Sequence, residues 1–537
     1  MKPANRALMY ACFVSLGGFV FGFDASVISG VIGFVVGKFN LNEWEQGLVV
    51  SAPTLGALIA ASAAGIVADA IGRRKVLKII AFLYLLSAVA SAFAPNYQAL
   101  VVARFIGGLA FASLMIAPMY IAEISPASLR GKMVSINQLN IMIGFSAAYF
   151  GNYFLLKLSG SDAAWVRTLG IDEAVWRWML GIEVLPAAAF FLLLFFIPES
   201  PRWLVVKGRF QRARTVLQEL QPHADVNAQI QAIKETSGKS RESLLHRFRQ
   251  LFGPKVRYAL IIGLIVGVAQ QITGINAVYF YAPSIFEQSG VGKDAAFAQA
   301  ASVGIINVVF TVIAMALIDR LGRKPLLIWG LSGVFLSMSL CAYGFYSAKY
   351  RLDRERLAPL AETVDVAALE PLLGQAFADD VSYKVALREA LGDAVARANE
   401  AALIQAGIRM NPWLILIGIL GFVASFAISL GPVMWVLFSE IFPNRIRGLA
   451  ISFVGAINSL VSFGVQFLFP WEVANLGAPA TFAIYGFFAL IGLGLVAWLV
   501  PETKGKSLEQ LETELARGRS GGGVQSPSEL NPLQELS

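Results

Sequence analysis

The feature that most constrains this chain is the repetition of long apolar runs. Twelve stretches carry few charges: about 8–32, 46–68, 76–94, 98–123, 132–156, 177–197, 258–287, 297–318, 325–347, 412–440, 448–470 and 477–499. As helices, runs of about 20 residues match the hydrocarbon thickness of a bilayer. The alternation that membrane-barrel strands require is absent, so the runs read as helices. The first begins near Leu8, far exceeds a signal-peptide core and lacks a cleavage-like flank, so it reads as a retained helix. Charged residues make up 15% of the 537, against about 25% in soluble domains. That is too few to coat several soluble domains, and two cysteines staple nothing. The expected fold class is an all-α polytopic membrane protein.

Basic residues fix the expected orientation. With both termini cytoplasmic, the inside segments hold 29 of the 43 Lys and Arg. The short outside loops hold Lys38, Lys157, Arg167, Arg177 and Lys293. This is the positive-inside pattern, so the net charge of +8 reports topology and contact with anionic lipid. No basic patch interleaved with exposed aromatics points to nucleic acid. His223 and His246 both fall in the cytoplasmic segment, where a solvated surface is expected.

The chain repeats itself. DAIGRRKVL at 69–77 matches DRLGRKPLL at 319–327, and GFDAS at 22–26 aligns loosely with GINAV at 274–278. AEISPASLRGK at 122–132 matches SEIFPNRIRGL at 439–449, and PES at 198–200 matches PET at 501–503. The offsets differ chiefly by the length of a polar stretch at 348–411. The organisation read from this is an N-terminal six-helix half (1–198) and a cytoplasmic helical linker (199–257). A C-terminal half (258–510) follows with an extracytoplasmic insertion (348–411), then a disordered tail (511–537). Two parallel six-helix halves place a substrate site near the bilayer midplane, with access alternating around it.

These matched strings, with PESPRWL at 198–204, QQITGIN at 270–276, GPVMW at 431–435 and PETKGKSLEQLE at 501–512, carry a resemblance. Over roughly 8–510 the chain resembles the sugar porter branch of the major facilitator superfamily, and is most similar to bacterial proton-coupled pentose and hexose symporters. The resemblance implies the major facilitator fold and sugar transport. The insertion and the last twenty residues lie outside it.

An ionisable group in a span costs roughly 2.5–3.5 kcal/mol or more and is by default a functional candidate. Three stand out: Asp24 in span one, Arg104 in span four and Glu183 in span six. Arg104 could also snorkel from a helix end, since Pro95-Asn96 lie close by. Burial favours a neutral acid and a nearby arginine favours the carboxylate, so a pair that breaks during a conformational change links protonation to conformation. The resemblance implies that the positions of Asp24, Arg104 and Glu183 form the proton-coupling group. The half-repeat counterpart of Asp24 is the neutral Asn276.

Sugar hydroxyls both donate and accept, which amides match, while an aromatic face covers the ring. Span seven carries Gln270, Gln271 and Asn276. On a straight helix Gln271 and Asn276 point about 140° apart, but Gly274 between them permits a break that aims both inward. A similar break is expected at Gly431-Pro432, just before Trp435. Gln138, Asn307 and Asn458 extend the set. Asn307 and Asn458 could equally serve as interhelical glue, and Phe21 and Phe280 could be pocket walls or plain core. The resemblance implies that the six amides and Trp435 are sugar contacts. Similar glucose and xylose carriers tend to have a second tryptophan after the span-eleven amide; here Ser459 stands there, which leaves fructose, a polyol or a cyclitol open.

On the cytoplasmic side Asp69, Arg73 and Arg74 match Asp319, Arg323 and Lys324. Glu123 with Arg130 matches Glu440 with Arg447, and Glu199 with Arg202 and Glu502 join them. The expectation is a cytoplasmic ion-pair latch that holds the outward-facing state, weaker in the first copy, where Ala70 replaces the usual arginine. No nucleophile–base constellation, metal spacing or phosphate-binding glycine loop argues for an enzyme, and no metal or cofactor is expected. The expected function is a secondary active transporter importing a monosaccharide with protons, as a monomer in the bacterial inner membrane. The alternatives are a facilitative uniporter and a sugar sensor that does not transport.

Overall fold

The computed structural model describes residues 3–126, 129–220, 225–237, 244–361, 363–443, 446–506 and 510–511. His223, the side chain of His246 and nearly all of the 511–537 tail lie outside the described residues. Among the described residues, twelve helices are long and apolar enough to cross a membrane. Spans one to six are Asn5–Phe39, Glu43–Ile71, Arg73–Ala92, Tyr97–Ile124, Arg130–Ser159 and Val175–Leu193. Spans seven to twelve are Val256–Gln288, Lys293–Leu321, Arg323–Tyr346, Pro412–Ile441, Arg447–Asn475 and Gly477–Leu499. Most run a few residues past the apolar stretches, and polar side chains cap several of their starts. Asn42 accepts from Glu45 N at 2.9 Å while Glu45 reaches back to Asn42 N at 3.0 Å. Asn96 accepts from Ala99 N at 2.9 Å, and Asn411 accepts from Trp413 N with Pro412 in the first turn. Such caps satisfy helix N–H groups that have no partner within the helix.

Several spans are broken near their middles. Span seven is two helices, Pro254–Ile272 and Ile275–Gln288, joined at Gly274 with φ +90°. Span ten divides into Pro412–Ile428 and Leu430–Ile441 at Ser429 (φ −127°, ψ −95°). The sequence places that break at Gly431-Pro432; the structure puts it two residues earlier. A proline clashes with the carbonyl four residues before it, so the helix fails at Ile428–Ser429 and not at the proline itself. Span six divides at Ile182–Glu183.

The two halves meet unevenly. The ends of the first-half spans that carry Asp69 and Glu123 form a core of their own around Ala64, Leu77, Tyr84, Tyr120 and Phe190. Their opposite ends share one continuous core with the second half. Hydrogen bonds from half to half gather at that shared end: Thr54 Oγ1 to Gln466 Oε1 at 3.0 Å, Tyr149 OH to Tyr279 O at 2.5 Å and Lys157 Nζ to Asp294 Oδ2 at 2.5 Å. The halves are therefore closed together at one membrane face and parted toward the other.

The closed face carries the insertion, which is a folded unit with a small sheet inside an otherwise helical chain. Strand β1 (Lys349–Arg351) pairs antiparallel with β2 (Ala376–Phe377) on one side and β3 (Ile408–Arg409) on the other. Its own core includes Tyr350, Leu357, Leu369, Tyr383, Leu387 and Leu403. The Tyr383 hydroxyl donates to Leu403 O at 2.8 Å, and burial raises that phenol above its ordinary range. On the opposite face the linker helices Pro201–Val206, Phe210–Leu220 and Val226–Ser237 pack around Trp203, Leu217 and Ile230. Glu219 ties them to span one, accepting from Arg6 at 3.2 Å and Tyr10 at 3.1 Å.

Candidate functional site

The first half buries three ionisable side chains within its membrane-spanning helices. Asp24, Arg104 and Glu183 are 1%, 2% and 2% exposed on their residues' surfaces. Arg104 Nη1 donates to Asp24 Oδ1, and both Nη atoms reach the Asp24 backbone carbonyl at 3.2 Å. A snorkelling arginine would keep its head in water, and this one is fully enclosed. Asp24 Oδ2, Arg104 Nε and Glu183 Oε1 have no hydrogen-bond partner among the described residues. Gly107 leaves room beside Asp24 Oδ2: a Cβ there would lie 2.9 Å from that oxygen and 2.5 Å from Ser87 Oγ. An unpaired lone pair in so apolar a place is costly unless a proton, a ligand or a rearrangement occupies it.

At the matching place the second half holds a neutral network. The break at Gly274 turns Asn276 back toward Gln271, and Asn276 Nδ2 donates to Gln271 Oε1 at 2.8 Å. A side chain at Gly274 would also strike the Tyr485 ring. Gln271 Nε2 donates to Asn458 Oδ1 at 3.3 Å and Gln270 Oε1 at 3.2 Å. Asn458 Nδ2 donates to Gln270 Oε1 and Gly267 O, each at 2.8 Å. Gln270 Nε2 donates to Leu430 O at 3.1 Å, at the break in span ten. Four of the six amides are thus gathered. Gln138 is half-buried on span five and Asn307 buried on span eight, and neither hydrogen-bonds to the cluster. Trp435 is 49% exposed, edge-on to Phe438, next to the Met434 that touches Asn458. Phe21 is half-buried against Phe111 and Phe145, Phe280 is buried in core, and Ser459 is half-buried.

Three polar residues escaped the sequence reading. Ser462 Oγ accepts from Asn276 Nδ2 at 2.6 Å and from Gln466 Nε2 at 2.7 Å. Gln466 in turn accepts from Thr54 of the first half. Asn458, Ser462 and Gln466 recur every four residues, a polar stripe on one face of span eleven that was available as a signal.

At the parted face the charged residues assemble within each half. Arg73 pairs with Asp69 at 2.8 Å and Glu123 at 3.2 Å. Arg323 pairs with Asp319 at 3.4 Å and grips Glu440 with Nε and Nη2, the shortest contact 2.7 Å. Gly72 and Gly322 both have strongly positive φ, +103° and +95°, which favours glycine, and a Cβ at either would also collide with Glu199 or Glu502. Those carboxylates sit on the helix starts behind the glycines: Glu199 accepts from Arg74 N, and Glu502 from Arg323 N and Lys324 N, all at 3.1 Å. Burial alone would raise the Glu502 carboxyl, but the N–H groups of Lys504, Arg323, Lys324 and Thr503 outweigh it and hold it below its usual range. Each of these ion pairs lies within one half. Arg130 is exposed, and Arg447 Nε donates to Phe442 O at 3.1 Å.

A family model described as "Sugar (and other) transporter" matches residues 10–355 and 395–515. The chain belongs to this family. Among relatives of the sugar transporter family, the arabinose-proton symporter of Bacillus subtilis is 33% identical over 512 residues, covering 94% of each chain. The inward open conformation of the xylose transporter XylE from E. coli superposes with a TM-score of 0.71 at 30% identity, covering 94% of this chain and 99% of that one. XylE bound to 6-bromo-6-deoxy-D-glucose gives 0.65 at 31% identity, with 95% and 99% covered. The fold is that of the major facilitator superfamily, and the chain is a multi-pass membrane protein and not an enzyme. The better fit to an inward-open transporter accords with halves joined at one face and parted at the other. The stretch the family model skips, 356–394, falls inside the insertion.

Proposed function

We propose that this chain imports a hexose, pentose or related polyol together with protons, by alternating access. The parted face with the linker is cytoplasmic, as are both termini, and the insertion face is outside, following the basic-residue asymmetry. The protein works as a monomer in a bacterial inner membrane, surrounded by lipid. The observation that carries the reading is the enclosed Asp24–Arg104 contact, set in one half beside Glu183, while the other half holds sugar-type amides. Relatives named as arabinose–proton and xylose–proton symporters support the same conclusion.

Asp24 is the proton site. Its carboxylate is held by Arg104 at Oδ1, while Oδ2 faces the space that Gly107 leaves. A proton on Asp24 cancels the charge that Arg104 compensates, so the guanidinium is released and the packing of spans one and four changes. Glu183 stands near enough to affect both. Gln270, Gln271, Asn276 and Asn458 bind the sugar hydroxyls, with Gln138, Asn307 and Trp435 contributing from neighbouring spans and Phe21 and Phe280 as walls. Asp69, Arg73, Glu123, Arg130 and Glu199, with Asp319, Arg323, Glu440 and Arg447, close the cytoplasmic gate when the halves come together there.

The test is to add D-xylose, L-arabinose, D-glucose, D-fructose or myo-inositol to de-energised cells and record external pH. Alkalinisation with the transported compound is expected. Uptake with no alkalinisation makes the chain a facilitator. Asp24→Asn should abolish accumulation while counterflow and binding persist; loss of binding recasts Asp24 as a ligand contact.

A further inference from the structure

The insertion belongs by sequence to the second half, since it leaves span nine at Tyr346 and rejoins span ten at Pro412. Yet it also makes a charged contact with the first half. Glu43, in the opening turn of span two, accepts from Arg388 Nη2 at 3.1 Å and lies 3.3 Å from Arg397 Nη2. The three side chains are only 19–23% exposed, so this is a half-buried triad and not a loose surface pair. Its base is rigid. Strands β1 and β3 clasp the two ends of the insertion together, and Asp380 accepts from Ala478 N at the start of span twelve at 3.0 Å. Lys384 braces the same element between Asp380 at 3.8 Å and Glu400 at 3.4 Å. Alongside, Ala398 packs against Gly37 of span one. Beneath lies a cavity of about 170 Å³ whose walls come from both halves and the insertion, among them Val36, Glu43, Ser284, Glu287, Arg388 and Phe469.

We infer that Arg388 and Arg397 act on Glu43 as a strap across the outer mouth, which must release each time the transporter opens outward. They are positioning residues: they touch no sugar and set how much of the resting protein is closed outside. The reason is geometric. The strap is anchored in one half and grips the other at the face where the halves close, so separating them there pulls the arginines from Glu43. The contact exists in one access state only, and an interaction present in one state alone shifts the balance toward it. The inference rests on the alternating-access reading and the orientation proposed above.

The experiment reads outward opening directly. In a Cys12→Ser background, with Cys341 buried, Ser284→Cys places a thiol in the wall of the cavity below the strap. Whole cells are treated with a membrane-impermeant maleimide, without sugar or an imposed proton gradient. Glu43→Gln, and separately Arg388→Ala with Arg397→Ala, should speed labelling about tenfold. Arg388→Lys with Arg397→Lys keeps the charges and should stay near the parent rate, which a merely structural role would not predict. If the double alanine variant does not fold, Glu43→Gln carries the test alone, since it is isosteric. Labelling at the parent rate in Glu43→Gln, with an unchanged melting temperature, overturns the strap. Because no sugar or proton movement is read, this failure is distinct from failure of the symport proposal.

Discussion

The two halves share a plan and differ in what they bury at the same place. Where the repeat aligns, the first half sets Asp24 against Arg104 with leftover polar atoms unpaired, and the second sets Asn276 into a net of amides and hydroxyls. A buried charge pair is held by mutual need, so it changes sharply when one member is neutralised or removed. A neutral net can exchange one hydrogen bond for another at little cost. One half is thus built to respond to a proton and the other to a polyhydroxyl ligand. The shared features lie at the ends of the spans, where Gly72 and Gly322 and their carboxylates coincide.

The contrast breaks most visibly at Arg104. Arg104→Met leaves the Asp24 carboxylate enclosed without its partner, and about 3–5 kcal/mol of stability should be lost. Thermal unfolding in detergent measures it, and adding Asp24→Asn should restore most of the loss. Recovery that fails to appear would mean that Arg104 matters for packing and not for charge. In the second half the backbone itself is the weak point. Gly274→Ala forces a side chain into φ +90° and into Tyr485, at about 1–2 kcal/mol from the backbone alone. The turn that brings Asn276 to Gln271 should shift, raising the half-saturation concentration while proton coupling per sugar stays constant. The smallest effect is expected from Asn276→Ala, which strips donors from Gln271 and Ser462 at about 1 kcal/mol of net bonding. Sugar half-saturation should rise a fewfold, with little change in melting temperature. An effect as large as that of Arg104→Met would erase the distinction between the halves.

Much of this was readable from the chain because a bilayer leaves few options. Span number and the six-plus-six repeat follow from apolar length and matched strings, and the break at Gly274 from the need to aim two amides one way. The Asp24–Arg104 contact was legible in part: both residues are costly in a span, but a snorkelling Arg104 was an open alternative until its guanidinium was placed in a fully enclosed site. Span ten's break was displaced to Ser429 because proline acts on the turn before it. Ser462, Gln466 and Thr54 went unnoticed because hydroxyls and a lone amide raise little alarm in a helix, and their chain is visible only once spans two, seven and eleven are placed together. The insertion was least legible. Its strands are two or three residues long, too short for any alternation, and the grip on Glu43 joins residues 345 positions apart.

The antiparallel pairing of Lys349 with Arg409 has a consequence for how such a chain arises and can be rebuilt. Partners across a sheet lie about 5 Å apart, so everything between them leaves and returns at nearly one point. A segment with that footprint can be excised, grafted or acquired whole, with a tight turn closing the gap, and the neighbouring helices need not be redrawn. The roof is a cassette, and related scaffolds could receive it without learning a new fold.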